Sequence, residues 1–406
     1  MPHEAVPSSV RLVCLTTSSA FGGAETSLLT MLAALRRLEP AWEVTVITPS
    51  QGPVLDRCRT LGITAMAVPY PAALAALGES GAESQRFSRI RFVTRILRAT
   101  LVLPRYVSTL RRVIRDRRAT VIHSNGLKAH ICGALAKQSG TRLVWQLHDY
   151  VRTRPFTAAL LRRLVARADA VVTNSDSVLK DAAAAFGSSS RLRRAYNAVD
   201  LSMFRPDGPS ANLATLSGLP PDSGCVRIGL VAVYARWKGH DVFIDAIAQL
   251  PDRDRIRAYI IGAAVYETTG SQWSLPELQA RVAARGLSNV IGFTGHIDNV
   301  AAAMRSLDVV VHASTQPEPF GMVIAEGMAS GRTVVAVRDG GAAELFEDGI
   351  NGVAYSGDAQ ELANRLRELI GDPSRRARLG VVARAAACER FSPERMAREL
   401  RQVYLG

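Results

Sequence analysis

DVVVHASTQPEPFGMVIAEGMASGRTVVAV, residues 308–337, holds a strand, a loop, a helix and a second strand in one short stretch. The runs 308–312 and 333–337 are continuously apolar rather than alternating, the pattern of strands buried on both faces of a parallel sheet. Residues 321–330 supply the crossover helix that a parallel pair requires. The helix start near Gly321 presents unpaired backbone N–H groups and a positive dipole, a seat for a diphosphate. Two carboxylates bracket it: Glu318 in the strand-to-helix loop and Glu326 inside the helix.

The same alternation repeats in both directions. Strands are predicted at 10–16, 43–48, 64–68, 120–123, 142–147 and 169–173, then at 226–233, 258–262 and 290–293, with helices such as 24–37, 155–167, 240–250 and 276–285 between them. Two such series predict an α/β protein of two Rossmann-like domains. The break falls in 201–224, which with Asp200 carries four of the 19 prolines and little periodicity. The expected organisation is therefore 1–200, a linker at 201–224, 225–391, and a C-terminal helix in 392–406 that packs back toward the first domain. In open α/β sheets ligands bind at the carboxyl ends of strands, so two facing domains would hold a site in their cleft.

Composition narrows the class. The 406 residues are 48% hydrophobic and 21% charged, a globular balance. The segment MPHEAVPSSV lacks a basic start and apolar core, so it does not read as a secretory signal. No apolar run reaches the roughly 18 residues of a spanning helix. The cysteines at 14, 58, 132, 225 and 388 show no pairing pattern. Their scatter suits a reducing compartment, and a cytoplasmic location is expected. The formal charge of +14 admits nucleic acid, an anionic membrane or acidic ligands, and equally an arginine-rich genome.

Short motifs recur in order along the chain: Phe21-Gly22-Gly23-Ala24-Glu25, Tyr196-Asn197-Ala198-Val199-Asp200, Arg236-Trp237-Lys238-Gly239-His240, Phe293-Thr294-Gly295-His296, Glu318 to Gly331, and Gly340-Gly341-Ala342-Ala343-Glu344. Together they resemble the retaining GT-B glycosyltransferases of the family 4 type, whose E-x7-E signature matches Glu318 and Glu326. The resemblance implies a GT-B fold and transfer of a sugar from a nucleotide-diphosphate sugar to an acceptor hydroxyl, in bacterial cell-surface glycan or glycolipid synthesis. It assigns Glu318 to the transferred sugar and Glu326 to the ribose. Lys238, Arg236, Gly321, Met322, Val323, Gly340, Gly341, Gly22 and Gly23 are assigned to the donor. His148, directly after strand 142–147, is expected beside the reacting sugar. His123 and Asn125, ending the preceding strand, are candidates for the acceptor pocket. The first domain would then bind a saccharide or lipid-linked acceptor.

One position departs from the pattern. Five residues before Lys238 the family usually carries a diphosphate-gripping arginine, and here Val233 stands. That departure keeps open a catalytically silent GT-B partner subunit, beside a GT-B epimerase. No metal or cofactor is expected: the single D-x-D, Asp252-Arg253-Asp254, falls in a polar connection rather than at a strand end. No G-x-G-x-x-G is present for a dinucleotide.

Residues 86–118 hold eleven arginines and one acid, Asp116. Ile90, Val93, Leu97 and Leu101 fall at helical spacing, while Arg91, Arg95, Arg98 and Arg105 gather on another face. Such a surface suits an anionic bilayer, and a solvated helix pair reads equally from the spacing. No recognition motif supports nucleic acid. The expectation is peripheral attachment at the inner face of the cytoplasmic membrane.

Overall fold

Val- and Ile-rich runs form thirteen strands among the described residues, which in this computed structural model are 9–76, 89–188, 191–264 and 271–406, with only the backbone described at 89–93 and 95. The chain divides into two units, residues 1–198 with 393–406, and residues 199–392. The first holds Arg11–Thr16 (β1), Glu43–Thr48 (β2), Thr64–Ala67 (β3), Val121–Asn125 (β4), Arg142–Leu147 (β5), Ala170–Thr173 (β6) and Leu192–Arg194 (β7) in the order β3-β2-β1-β4-β5-β6-β7. Every pairing is parallel. The helix Pro393–Leu405 packs on Gly23–Leu38 and buries Met396, Leu400 and Tyr404 against one face of this sheet.

The second unit holds Val226–Val231 (β8), Ile256–Ile261 (β9), Ile291–Gly295 (β10), Val309–His312 (β11), Thr333–Val337 (β12) and Val353–Tyr355 (β13), ordered β10-β9-β8-β11-β12-β13 and again parallel throughout. Phe243, Ile247, Leu278, Val282, Leu362 and Leu366, from helices on one face, bury themselves against it. Each large apolar side chain so buried contributes roughly 1.5–3 kcal/mol. On the other face the helix Met322–Ala329 sits low, because Gly327 offers no Cβ: one there would lie 3.1 Å from Val334 and 3.4 Å from Val310. Both units are Rossmann-like.

The strand order sets the positions that matter. In each sheet the order reverses once, between β1 and β4 and between β8 and β11. The loops leaving those neighbouring strands diverge to opposite faces, and the crevice at their carboxyl ends is where such sheets take ligands.

Two expectations need adjusting. Residues 201–224 are not featureless: Asn212 accepts from the Thr215 N–H and caps a short helix, Leu213–Ser217. The basic segment is one helix, Arg89–Asp116, which passes through Pro104. Residues 86–88 and the side chains of Ile90, Arg91, Val93 and Arg95 lie outside the described ones.

Candidate active site

At the switch point of the second sheet, the loop after β8 is pressed onto the end of β11. Gly239 makes this approach: its φ is +73°, and a Cβ there would stand 1.7 Å from the Ala313 carbonyl oxygen. The Thr315 N–H donates to the Trp237 carbonyl at 2.8 Å and stitches the loops together. Lys238 therefore meets Glu318 across the switch point. The Lys238 ammonium and the Ser314 hydroxyl both donate to Glu318 Oε1. His312 Nε2 stands 3.3 Å from the same oxygen. Burial alone would raise the Glu318 carboxyl, but His312 and Lys238 outweigh it and hold the group well below the usual carboxylate range. Glu318 is thus a nearly buried carboxylate, 12% exposed, whose neighbours favour its ionised form.

The glycine segment joins this cluster through the backbone, because the Gly341 N–H donates to the Glu318 carbonyl at 2.7 Å. Gly321, at φ +94°, precedes the helix Met322–Ala329. Within that helix only Met322, Val323 and Glu326 escape full burial. They lie three and four residues apart, hence on one face. No hydrogen bond or ion pair reaches the Glu326 carboxylate among the described residues, and burial pushes its pKa up to about 7. A half-buried acid on the open side of its helix, with no internal partner, is equipped to hydrogen-bond something from outside the fold.

The two basic residues of the 236–240 motif part company. Arg236 lies with its guanidinium carbon 3.6 Å from the centre of the Trp273 ring and pairs with Glu277 at 3.3 Å. Of the two, Lys238 alone goes to Glu318. The Val233 carbonyl accepts the Ala235 N–H at 2.7 Å in the turn that shapes the loop.

In the first unit, Gly22 and Gly23 are exposed at the start of Gly23–Leu38. Glu25, buried one turn in, folds back so that a Cβ on Gly22 would lie 3.0 Å from its carboxylate. Burial raises the Glu25 carboxyl despite backbone N–H contacts from itself and Gly22. His123 and Asn125 on β4, with Gln146 on β5 and His148 just beyond it, form a polar block on the face shared with Tyr404. His148, half-buried, donates from Nε2 to Asn125 Oδ1 at 2.6 Å, and burial brings its pKa down to about 4.

The expected acceptor contacts of His123 and Asn125 are corrected here. His123 is wholly buried, its Nδ1 3.0 Å from the Tyr404 hydroxyl, and Asn125 is 1% exposed and occupied with His148. Strand alternation turns both side chains under the helix layer rather than toward the loops. His312, Ser314 and Glu25 were the residues missed. The one available signal for His312 was a histidine ending an otherwise all-valine strand.

Among the described residues no group of three or more His, Cys, Asp or Glu side chains is placed to hold a metal ion.

Comparison with known proteins agrees with this geometry. The profile described as Glycosyl transferases group 1 matches residues 221–386, and that of Glycosyltransferase Family 4 matches residues 21–203. The D-inositol 3-phosphate glycosyltransferase of Streptomyces bingchenggensis is 30% identical over 308 residues, 70% of this chain and 66% of that protein. The lipopolysaccharide core mannosyltransferase LpcC of Rhizobium leguminosarum is 30% identical over 262 residues, 61% of this chain and 70% of its own length. The chain spans 66% of the length of that inositol phosphate relative and 58% of the one from Xylanimonas cellulosilytica. Among solved structures, Anabaena HepE in complex with UDP superposes with a TM-score of 0.78 at 26% identity, covering 97% of this chain and 99% of its own; HepE has also been solved with UDP-glucose. With both halves matched in order and both sheets of the GT-B type, the chain belongs to the family 4, group 1 glycosyltransferases.

Proposed function

We propose that the chain transfers a sugar from a nucleotide-diphosphate sugar to an acceptor hydroxyl with retention of configuration. The observation that carries the reading is the meeting of Lys238 with the anionic Glu318 at the switch point, beside an unpaired Glu326 on an open helix face. Lys238 supplies positive charge for the diphosphate, with the helix start at Gly321–Val323 beside it. Glu326 hydrogen-bonds the ribose. As the bond from the anomeric carbon to the diphosphate breaks, the sugar ring gains positive charge, and Glu318 is the fixed anion that meets it. The UDP and UDP-glucose bound by HepE support a nucleotide-sugar donor. The inositol phosphate and lipopolysaccharide core named in the relatives support a polyol or lipid-linked saccharide as acceptor, and a role in cell-surface glycan synthesis. We assign the acceptor to the first unit, near His148.

The enzyme would act at the inner surface of the cytoplasmic membrane. Leu97 and Leu101 are 59% and 73% exposed on the helix Arg89–Asp116, with Arg98 and Arg105 exposed nearby. No described helix is long and apolar enough to cross a membrane.

A thermal-shift screen across nucleotide sugars identifies the donor, since binding to the native state raises stability. With that donor, Glu318→Gln is expected to bind nearly normally and turn over at least about a hundredfold more slowly. Near-wild-type turnover in this variant sinks the reading. Donor conversion without acceptor would indicate an epimerase, and binding without any turnover a silent subunit.

A further inference from the structure

The loop and helix after β5 carry a surface that the proposed reaction does not use. Between Asp149 and Asp169 the chain has five arginines, Arg152, Arg154, Arg162, Arg163 and Arg167, and no acid. All five are exposed. Among the described residues only Arg154 of the five forms an ion pair, with Asp149 at 3.4 Å. On the helix Pro155–Leu164, Phe156, Leu160 and Arg163 recur at i, i+4 and i+7, and so form one stripe. Phe156 is 70% exposed and Leu160 42%, whereas Leu161, turned to the other side, is wholly buried. A single exposed apolar residue is ordinary. An apolar stripe bordered by arginines, on a segment without acids, is the composition of a helix that lies on an anionic surface.

This helix and Arg89–Asp116 cover the same face of the first sheet, since Leu161 and Val151 share one core with Tyr106, Val107, Leu110 and Ile114. The helix Leu127–Ala136 packs on both. Each of the two feeds a parallel strand, so each begins at the carboxyl edge of the sheet and runs back from it. Phe156 lies in the first turn of one. In the other, the exposed Leu97 and Leu101 precede the residues that face the sheet. Both apolar patches therefore lie toward the edge that carries His148. We propose that Pro155–Leu164 is a second membrane contact, docking on an anionic bilayer together with Arg89–Asp116. The inference rests on the membrane reading given above. Charge selects the occupant: five arginines with one paired acid suit phosphate headgroups, and the stripe between them suits the acyl boundary. Two linked contacts bind more tightly than either alone, and they fix the orientation that a single helix leaves free to roll. With both engaged, headgroups border the loop between His148 and Pro155, where a lipid-linked acceptor would present its saccharide.

The test is co-sedimentation of the full chain with vesicles of phosphatidylglycerol mixed into phosphatidylcholine, against phosphatidylcholine alone. Two paired variants probe the surface: Phe156→Ala with Leu160→Ala, and Arg152→Gln with Arg163→Gln. The arginine pair should weaken partition into the anionic vesicles by about 25-fold, roughly fivefold for each charge, and the apolar pair by about tenfold. Both should melt with the wild type, because every substituted side chain is exposed. The comparison variant is Leu97→Glu with Leu101→Glu. If that variant is released while both pairs on the second helix bind like the wild type, the inference is overturned and the membrane reading stands. If the wild type ignores anionic vesicles, the membrane reading falls and this inference with it. A dimer in sedimentation velocity that Phe156→Ala with Leu160→Ala abolishes, with vesicle binding kept, assigns the face to a second copy and also overturns the inference.

Discussion

Replacing Glu326 by Gln should make the protein more stable above neutral pH while weakening its hold on the donor. The unpaired carboxyl has its pKa raised from 4.5 to about 7 by burial. Because the folded-state value lies above the unfolded one, the favourable contribution is complete below about pH 4.5 and is lost as pH rises through 7. A shift of that size is worth about 3 kcal/mol at 1.36 kcal/mol per unit. The carboxylate retains some contact with solvent, which lowers the realised cost to about 1–3 kcal/mol. Glutamine is nearly isosteric and cannot ionise, so the variant should match the wild type near pH 4.5 and exceed it by that margin at pH 8. For a unit of this size the gain corresponds to roughly 2–10 °C in melting temperature. Thermal and urea melts of both proteins across this range, compared at each pH, cancel the titration of every other group. Parallel curves at all pH values, or a less stable Gln variant at pH 8, would mean that the carboxylate has an internal partner after all.

Other outcomes follow from the same geometry. Gly239→Ala forces a Cβ into the Ala313 carbonyl at φ +73°, so it should destabilise the second unit by more than about 2 kcal/mol and weaken donor binding; an unchanged melt would show that the loop relaxes freely. Turnover should survive excess chelator after metal removal, because Lys238 and the Gly321 helix start face the diphosphate; complete loss restored by a divalent ion would reveal a metal requirement. The protein should co-sediment with anionic but not neutral liposomes, release on raising salt, and bind less after Leu97→Glu with Leu101→Glu; equal binding to both lipids would refute the helix's role.

The central strands and the placement of the two glutamates were legible because each rests on a local signal. Continuous valines mark β11 and β12, and the E-x7-E spacing places Glu318 before the helix and Glu326 within it. What escaped depends on contacts far apart in sequence. β7 and β13, LRR and VAY, are three-residue edge strands too short to show a period, and exist through pairing with β6 and β12. The roles of His123 and Asn125 turned on which sheet face Tyr404 covers, a partner some 280 residues away. The setting of Arg236 was hidden for the same reason: Trp273, on which it stacks, lies 37 residues downstream.

The residues that break the rules of a good core are informative as a group. A sequence selected for stability alone would not place a carboxyl in a setting that raises its pKa to about 7, nor bury an imidazole with no hydrogen bond to either nitrogen at the end of a strand of valines. Glu326 and His312 do this on either side of Glu318, and in the first unit the buried amide of Gln146 and the Nδ1 of His148 are likewise unpartnered at the carboxyl end of β5. Such exceptions are tolerated where function requires them and are offset elsewhere. Others, such as the indole nitrogen of Trp145 and both nitrogens of His240, lie away from Glu318, so an unpaired group alone is weak evidence. Convergence distinguishes the site: Lys238, His312 and Ser314 reach one oxygen of Glu318 from separate positions along the chain.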